Sequence, residues 1–313
     1  MKGMGTIKQQ IVCPKYFDKR FLFILGLNLM IANKIRHFFK GYFSPRPFAP
    51  SNIQRSVNYC FKVVQSWNNI LKEYMKQPYP FLNKDVLEIG PGPDLGTGLI
   101  ILSLGAKTFT ALDKHYLLSQ TPNEFYKLLL SKLKGFPFYE RAETACHSLL
   151  EGESIEEFKY IYLPEFPRDF PKLGRKFHIL LSQAVFEHFS KTELVLFFKK
   201  VKKTLCLKAK MTHEIDLSTH TRFLRNIDPL NILRYPDFIW NLLGFDGSPN
   251  RLRISDYRSV LKRLGYSNID CHSLRRLDLG YVEKMKASLY KRFRKYSAED
   301  LSILSFYLLA DND

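Results

Sequence analysis

Two rhythms of apolar positions alternate along the chain. Ile53, Val57, Cys60, Val64, Trp67, Leu71 and Tyr74 return every three or four positions, the mark of one helix face. Ser51 and Gln54 make a capping-box pattern at the start of that helix, and Pro78 and Pro80 follow its end. Apolar runs of strand length then recur at residues 86–89, 106–112, 159–163, 177–183, within 207–217, at 267–271 and at 301–310. Helical patterns fall between them. One begins at Leu99 and stops at Gly105; a second is opened by Thr121, Pro122 and Glu124 and stopped by Gly135. A third is boxed by Ser190 and Glu193, with Leu194, Phe197, Phe198, Val201 and Leu205 on one face. A fourth covers 255–264, and a basic one 281–296. Residues 136–157 show no clear rhythm. The alternation predicts an α/β fold: a seven-stranded, mostly parallel sheet with helices on both faces.

The first fifty residues follow another pattern. Phe21 to Ala32 is apolar but only twelve long, short of the ~20 that span a bilayer. Lys15, Lys19 and Arg20 precede it without a small-residue cleavage site. Lys34, Arg36, His37, Phe38, Phe39, Lys40 and Tyr42 then mix cations with aromatics, which suits a helix lying in a membrane interface or one packed on the domain. Pro45, Pro47 and Pro50 mark a boundary, giving an N-terminal helical segment over 1–50 and a main domain over 51–313. Within the latter, residues 218–253 are too long for a simple connection and too aromatic for disorder, and read as a lid insertion.

Composition narrows the partners. The 313 residues hold 48 basic against 30 acidic side chains, a net +18, which favours anionic partners: nucleic acid, acidic lipid head groups or phosphorylated small molecules. Five scattered cysteines without a C-x-x-C pair read as free thiols in a reducing compartment, with no zinc site expected. From Met211 to Leu261 there is no lysine; the cations are arginines, whose flat fork pairs with carboxylate or phosphate. Arg222, Arg225, Arg251 and Arg253 are therefore candidates for an anionic substrate, unless they pair internally with Asp228, Asp237, Asp246 and Asp256.

The densest chemistry lies at residues 85–98. Glu88 is followed by Gly90, Gly92, Gly96 and Gly98, placed between the first strand and a helix start. Glycines there let backbone approach a ligand. No Lys-Ser/Thr pair follows, so the turn is not a P-loop, and Leu95 occupies the third glycine position of a dinucleotide fingerprint. The next strand ends on Asp113, where a carboxylate can accept both hydroxyls of a ribose.

This constellation resembles the cofactor turn of class I S-adenosylmethionine-dependent methyltransferases. The resemblance implies a Rossmann-like sheet, S-adenosyl-L-methionine as cofactor, and cofactor contacts from Glu88, Gly90, Gly92, Gly96, Asp113, Glu165, Ser182 and Gln183. Glu187-His188 matches the family's loop after the fourth strand, while His178 stands where the family usually has aspartate. A narrower stretch, His213-x-Ile215-Asp216-Leu217-x-x-His220 with the later Asn250-Arg251-Leu252-Arg253, resembles bacterial methyltransferases found with surface-glycan biosynthesis. A neutral histidine suits removal of a proton from a hydroxyl near pH 7. His188 is the first candidate base, with His213, Asp216 and His220 next. The H-x-x-D-x-x-x-H spacing straddles a strand and a loop, so no metal is assigned to it. The expected activity is methyl transfer to a hydroxyl of a sugar-containing or other anionic intermediate, in the cytoplasm or peripheral to the inner face of the membrane through residues 15–43. The alternatives are an RNA methyltransferase, for which no appended RNA-binding motif is found, and a non-catalytic binding module at a membrane.

Overall fold

The computed structural model describes residues 9–14, 18–41 and 52–313. Eight strands form one sheet: β1 (Gln10–Val12), β2 (Asp85–Ile89), β3 (Thr108–Asp113), β4 (Phe158–Tyr162), β5 (Phe177–Gln183), β6 (Leu205–Asp216), β7 (Tyr266–Leu277) and β8 (Ile303–Asn312). Their order is β1-β7-β8-β6-β5-β2-β3-β4. All neighbours are parallel except β8, which lies antiparallel between β6 and β7. Every residue of β2 is buried, as a parallel strand covered on both faces requires.

The helices are α1 (Lys19–Lys40), α2 (Ile53–Met75), α3 (Gly96–Ser103), α4 (Asn123–Leu133), α5 (Tyr139–Glu151), α6 (Lys191–Val201), α7 (Arg222–Arg225), α8 (Asp237–Leu243), α9 (Ile254–Arg263), α10 (Leu279–Lys286) and α11 (Ala298–Ser302). On one face of the sheet Val57, Trp67, Leu99, Phe125 and Ala145, from α2 to α5, pack with Phe109 and Leu181. On the other, Phe197 and Phe198 of α6 and Tyr257 of α9 meet Leu87, Leu180 and Phe306. A third cluster joins Leu22 of α1 to Leu230 and Leu233 of the insertion, Val282 and Met285 of α10, and Leu301 and Leu304.

The insertion is folded, and α1 docks against it. Asn231 Nδ2 donates to the Leu22 carbonyl at 3.1 Å, and the Tyr235 hydroxyl donates to the Phe23 carbonyl at 3.0 Å. The contact is closest at Gly26, where any Cβ would overlap the Tyr235 hydroxyl and Asn231. Behind it the fully buried Arg234 donates to both carboxylate oxygens of Asp228, at 2.6 and 3.0 Å. These interactions fix the insertion as a wall of the domain.

Several expectations change. The sheet has an eighth strand, because three residues at the edge, Gln10–Val12, pair with β7. The apolar run at residues 21–32 belongs to a helix of 22 residues, long enough to cross a bilayer by length and composition. Residues 139–151 form α5, whose rhythm is short and interrupted by charges. The basic 281–296 stretch breaks after Lys286 into turns. Thr121 does not cap α4: its hydroxyl donates to the Pro93 carbonyl instead, while the Ser190–Glu193 box forms as its spacing implies. Lys15, Tyr42, Ser51 and the boundary prolines lie outside the described residues.

Candidate functional site

The chain leaves β2 through a bend that favours glycine. Gly90 and Gly92 have φ of +66° and +81°, a region that disfavours residues with a Cβ. A Cβ on Gly90 would also lie 2.6 Å from Val185 Cγ2. Gly96 and Gly98 serve packing: the first is closed in by Phe125, Asp94 and Cys60, the second by the Phe109 ring. Three polar groups hold the bend from behind. Glu88 accepts the Thr97 hydroxyl at 2.6 Å, Asp94 accepts the Gly96 amide at 2.9 Å, and Thr121 reaches the Pro93 carbonyl. At the end of β3, Asp113 Oδ2 accepts the Gly92 amide at 3.1 Å and Oδ1 accepts the His115 amide at 2.9 Å. The Gly92 and His115 amides thereby aim the carboxylate across the bend.

A cavity of about 1890 Å³ opens over this edge, where the strands β2, β3, β5 and β6 end. Ligands of open α/β sheets bind at that position. Single small-molecule pockets occupy roughly 300–1,000 Å³, so this one has room for more than one small molecule. Of the residues singled out in the sequence, Gly90, Gly92, Asp113, Gln183, His188, Asp216, His220, Arg222, Arg225 and Arg251 line it. The Gln183 amide donates to Glu214 at 2.6 Å and leaves its own Oε1 buried without a partner.

Both sheet order and bend now decide the architecture. The fold is a Rossmann-like α/β sheet, mostly parallel, with one antiparallel strand. No protein-family model matches the sequence, and no curated protein sequence does. Among solved structures, magnesium protoporphyrin IX methyltransferase from Synechocystis, with bound S-adenosylhomocysteine, is 13% identical over 93% of this chain and 100% of its own, with a TM-score of 0.44. The CurJ carbon methyltransferase is 14% identical over 93% of this chain and 66% of its own, with a TM-score of 0.44. An S-adenosylmethionine-dependent methyltransferase from Mesorhizobium loti is 11% identical over 74% of this chain and 92% of its own, at 0.39. Similarity at this level does not reach the acceptor.

Six of the expected site residues, Arg253 among them, stand elsewhere than on the cavity wall. Glu88 is consumed behind the bend, and Gly96 faces packed side chains. Glu165 is exposed on the surface beside Arg168, because the chain turns outward after β4 and presents Phe166 and Pro167 to the cavity in its place. Ser182 and His213 bond each other at 2.9 Å inside the core, where the His213 ring meets Phe186 and Phe198. Burial pulls the His213 pKa down to about 3, so it stays neutral. His178 lies at the opposite, N-terminal end of its strand, accepting the Asp85 amide at 3.2 Å. Sequence reading missed His115, Leu117 and Val185 on the wall, and named Glu187 there only as part of a motif. For Glu187 the signal was present in the Glu-His pair.

A titratable cluster sits at the other end of the cavity wall. The His188 and His220 rings are 5.1 Å apart, edge to face. Glu187 is fully buried, with one oxygen near the Asp216 amide at 3.4 Å and the other without a partner. Burial, then the neighbouring Asp216, raises its carboxyl well above the usual range. Burial and the nearby His220 pull His188 down to about 4. Burial also lowers His220, but Asp216 pulls it partly back. His220 Nδ1 lies 3.2 Å from the Ser218 carbonyl, which can only accept; Nδ1 therefore carries the hydrogen and Nε2 the lone pair. Asp216 itself is saturated by the Ser218 amide at 2.9 Å, the Ser218 hydroxyl and Arg225. Glu187, His188 and His220 each place one donor atom within 4.8 Å of the others, a set that could hold a divalent cation. It differs from the H-x-x-D-x-x-x-H set suggested by spacing.

The arginines of the insertion are mostly structural. Arg225 binds Asp216, Arg234 binds Asp228, and Arg251 binds Asp237 and the Tyr235 carbonyl. Arg253 is fully buried and far from any anion site: its guanidinium donates to the carbonyls of Leu217, Asp300, Leu301 and Ile303, tying β6 to the start of β8. Replacing it with methionine leaves those carbonyls short of donors. The Arg253→Met variant is expected to lose about 3 kcal/mol of stability in chemical denaturation, with cofactor affinity unchanged at temperatures where it is folded. Only Arg222 of the four proposed substrate arginines is both exposed and on the cavity wall.

Proposed function

We propose that the protein transfers the methyl group of S-adenosylmethionine to a hydroxyl of a polar small molecule held in the cavity. The observation that carries this reading is Asp113: a carboxylate fixed by two backbone amides, on the cavity wall, across a bend whose two glycines have positive φ. A carboxylate in that place suits two charge-assisted hydrogen bonds from the ribose hydroxyls. Leu112, Leu117, Phe166 and Pro167 supply apolar walls for a planar base, and the Gln183 Oε1 atom is an acceptor for an ammonium. The bound cofactor supplies a methyl on a cationic sulfur, which provides most of the reactivity.

This chain's own part is to hold the acceptor and manage its proton. His220 is the base: its Nε2 lone pair is available, its tautomer is set by Ser218, and Asp216 offsets part of the depression that burial causes. His188, held neutral by burial, and the buried Glu187, whose carboxyl is pushed above its usual range, form a polar wall beside it. Arg222 offers a place for an anionic group on the acceptor, in keeping with a sugar phosphate or a similar compound. The clustered donors of Glu187, His188 and His220 support a second reading, in which a divalent cation acidifies the hydroxyl. Methyl-labelled S-adenosylmethionine, incubated with panels of sugars, sugar phosphates, lipids and RNA, tests the activity. Label in a hydroxyl-bearing small molecule is expected and should survive a chelator; chelator-sensitive transfer favours the cation reading, and label confined to RNA contradicts the small-molecule assignment.

A further inference from the structure

Helix α1 is amphipathic in the wrong sense for a buried element. Its inner face touches the domain at Leu22 and Gly26. Its outer face runs Phe21, Ile24, Asn28, Ile31, Ile35 and Phe38, spaced alternately three and four apart, so that all six fall on one stripe. Each is exposed, Phe38 to 82% and its neighbour Phe39 to 77%. The helix contains no acidic residue and carries Lys19, Arg20, Lys34, Arg36 and Lys40. Beside it, Phe238 and Leu242, one turn apart on α8, are each 70% exposed, and Lys34 Nζ ties the two helices by donating to the Leu242 and Gly244 carbonyls at 2.7 and 3.0 Å. Apolar surface this contiguous needs a cover.

We infer that α1 and α8 dock flat on an anionic lipid bilayer. Charge decides the occupant: a stripe of large apolar side chains accompanied by cations, on a chain of net +18, matches acyl chains below negative head groups. Length alone would let α1 span a membrane, but Asn231 and Tyr235 bond its backbone carbonyls and lock its inner face to the folded domain. The helix therefore lies in the interface plane. The same two helices also wall the cavity, through Asn33, Arg36 and His37 on one side and Trp240 and Asn241 on the other. Docking brings the cavity mouth to the lipid surface. Resting on the methyltransferase reading, the acceptor is then an amphiphile whose polar head enters the cavity while its apolar tail stays in the bilayer.

Co-sedimentation of the full chain with phosphatidylcholine vesicles, with and without added phosphatidylglycerol, tests this. The chain is expected to sediment with anionic vesicles, less so in high salt. The Phe38→Asp/Phe39→Asp double variant is expected to bind about tenfold more weakly or worse, with its circular dichroism and its affinity for S-adenosylhomocysteine unchanged. Vesicle binding equal in both proteins overturns the inference. So does a dimer in sedimentation velocity that the same substitutions dissociate, since a second copy would then be the cover. Vesicle binding without S-adenosylhomocysteine binding leaves the docking intact and removes the methyltransferase reading; the converse removes only the docking.

Discussion

Asp113→Ala is expected to weaken S-adenosylmethionine binding at least about 100-fold. The wild-type carboxylate would take two hydroxyl donors, each worth about 1.5–3 kcal/mol when the acceptor is charged, and every 1.4 kcal/mol is tenfold in affinity. Loss of both bonds gives about 3 kcal/mol or more. The substitution also frees the Gly92 and His115 amides, so part of the loss could come from a loosened bend. Asp113→Asn separates the two effects. An amide oxygen keeps one acceptor and the side-chain volume, and its loss should fall near tenfold. Isothermal titration with S-adenosylhomocysteine reads both variants, and equal affinity for Asp113→Ala and wild type would remove the ribose assignment.

His220→Ala is expected to lower kcat by about 10²–10⁴, with cofactor affinity retained. The size follows from losing a positioned base, since the cofactor's own reactivity is untouched. A pH profile carries more information than the rate. Burial depresses the His220 pKa below its ordinary 6.5, so the ring is neutral, and competent, throughout the neutral range. Acidification protonates Nε2, and kcat should fall on a limb centred below pH 6.5 and stay flat above it. In His220→Ala that limb should vanish along with most of the activity. A His188→Ala variant that loses the limb instead would move the base to His188.

What could be read from sequence divides along a physical line. The bend and Asp113 were legible because glycine spacing and a strand-ending acid are local requirements: Gly90 and Gly92 adopt positive φ wherever the rest of the chain goes. The same holds for the Ser190–Glu193 cap. The inward or outward sense of a side chain is not local. On β6 the period of two sends His213 and Ile215 into the core around Phe186, while Glu214 and Asp216 turn toward Gln183 and Arg225. One residue of register thus separates the buried histidine from the cavity carboxylate, and spacing along the sequence does not fix it. The arginines stay open between substrate and internal acids for a related reason. Their forks do select carboxylates and carbonyls, but the partners that tertiary folding brings to Arg251 and Arg253 are Asp237 and the main chain. Glu165 shows the limit of a motif in a proline-rich loop, where the turn directs Phe166 inward and the acid to solvent.

A crystal structure of the chain with S-adenosylhomocysteine is the most direct test. The account predicts both ribose hydroxyls on the Asp113 carboxylate, with the nucleoside lying along the bend from Gly90 to Gly92. A ligand seated away from that bend, or a saturated crystal with the cavity holding none, would contradict it.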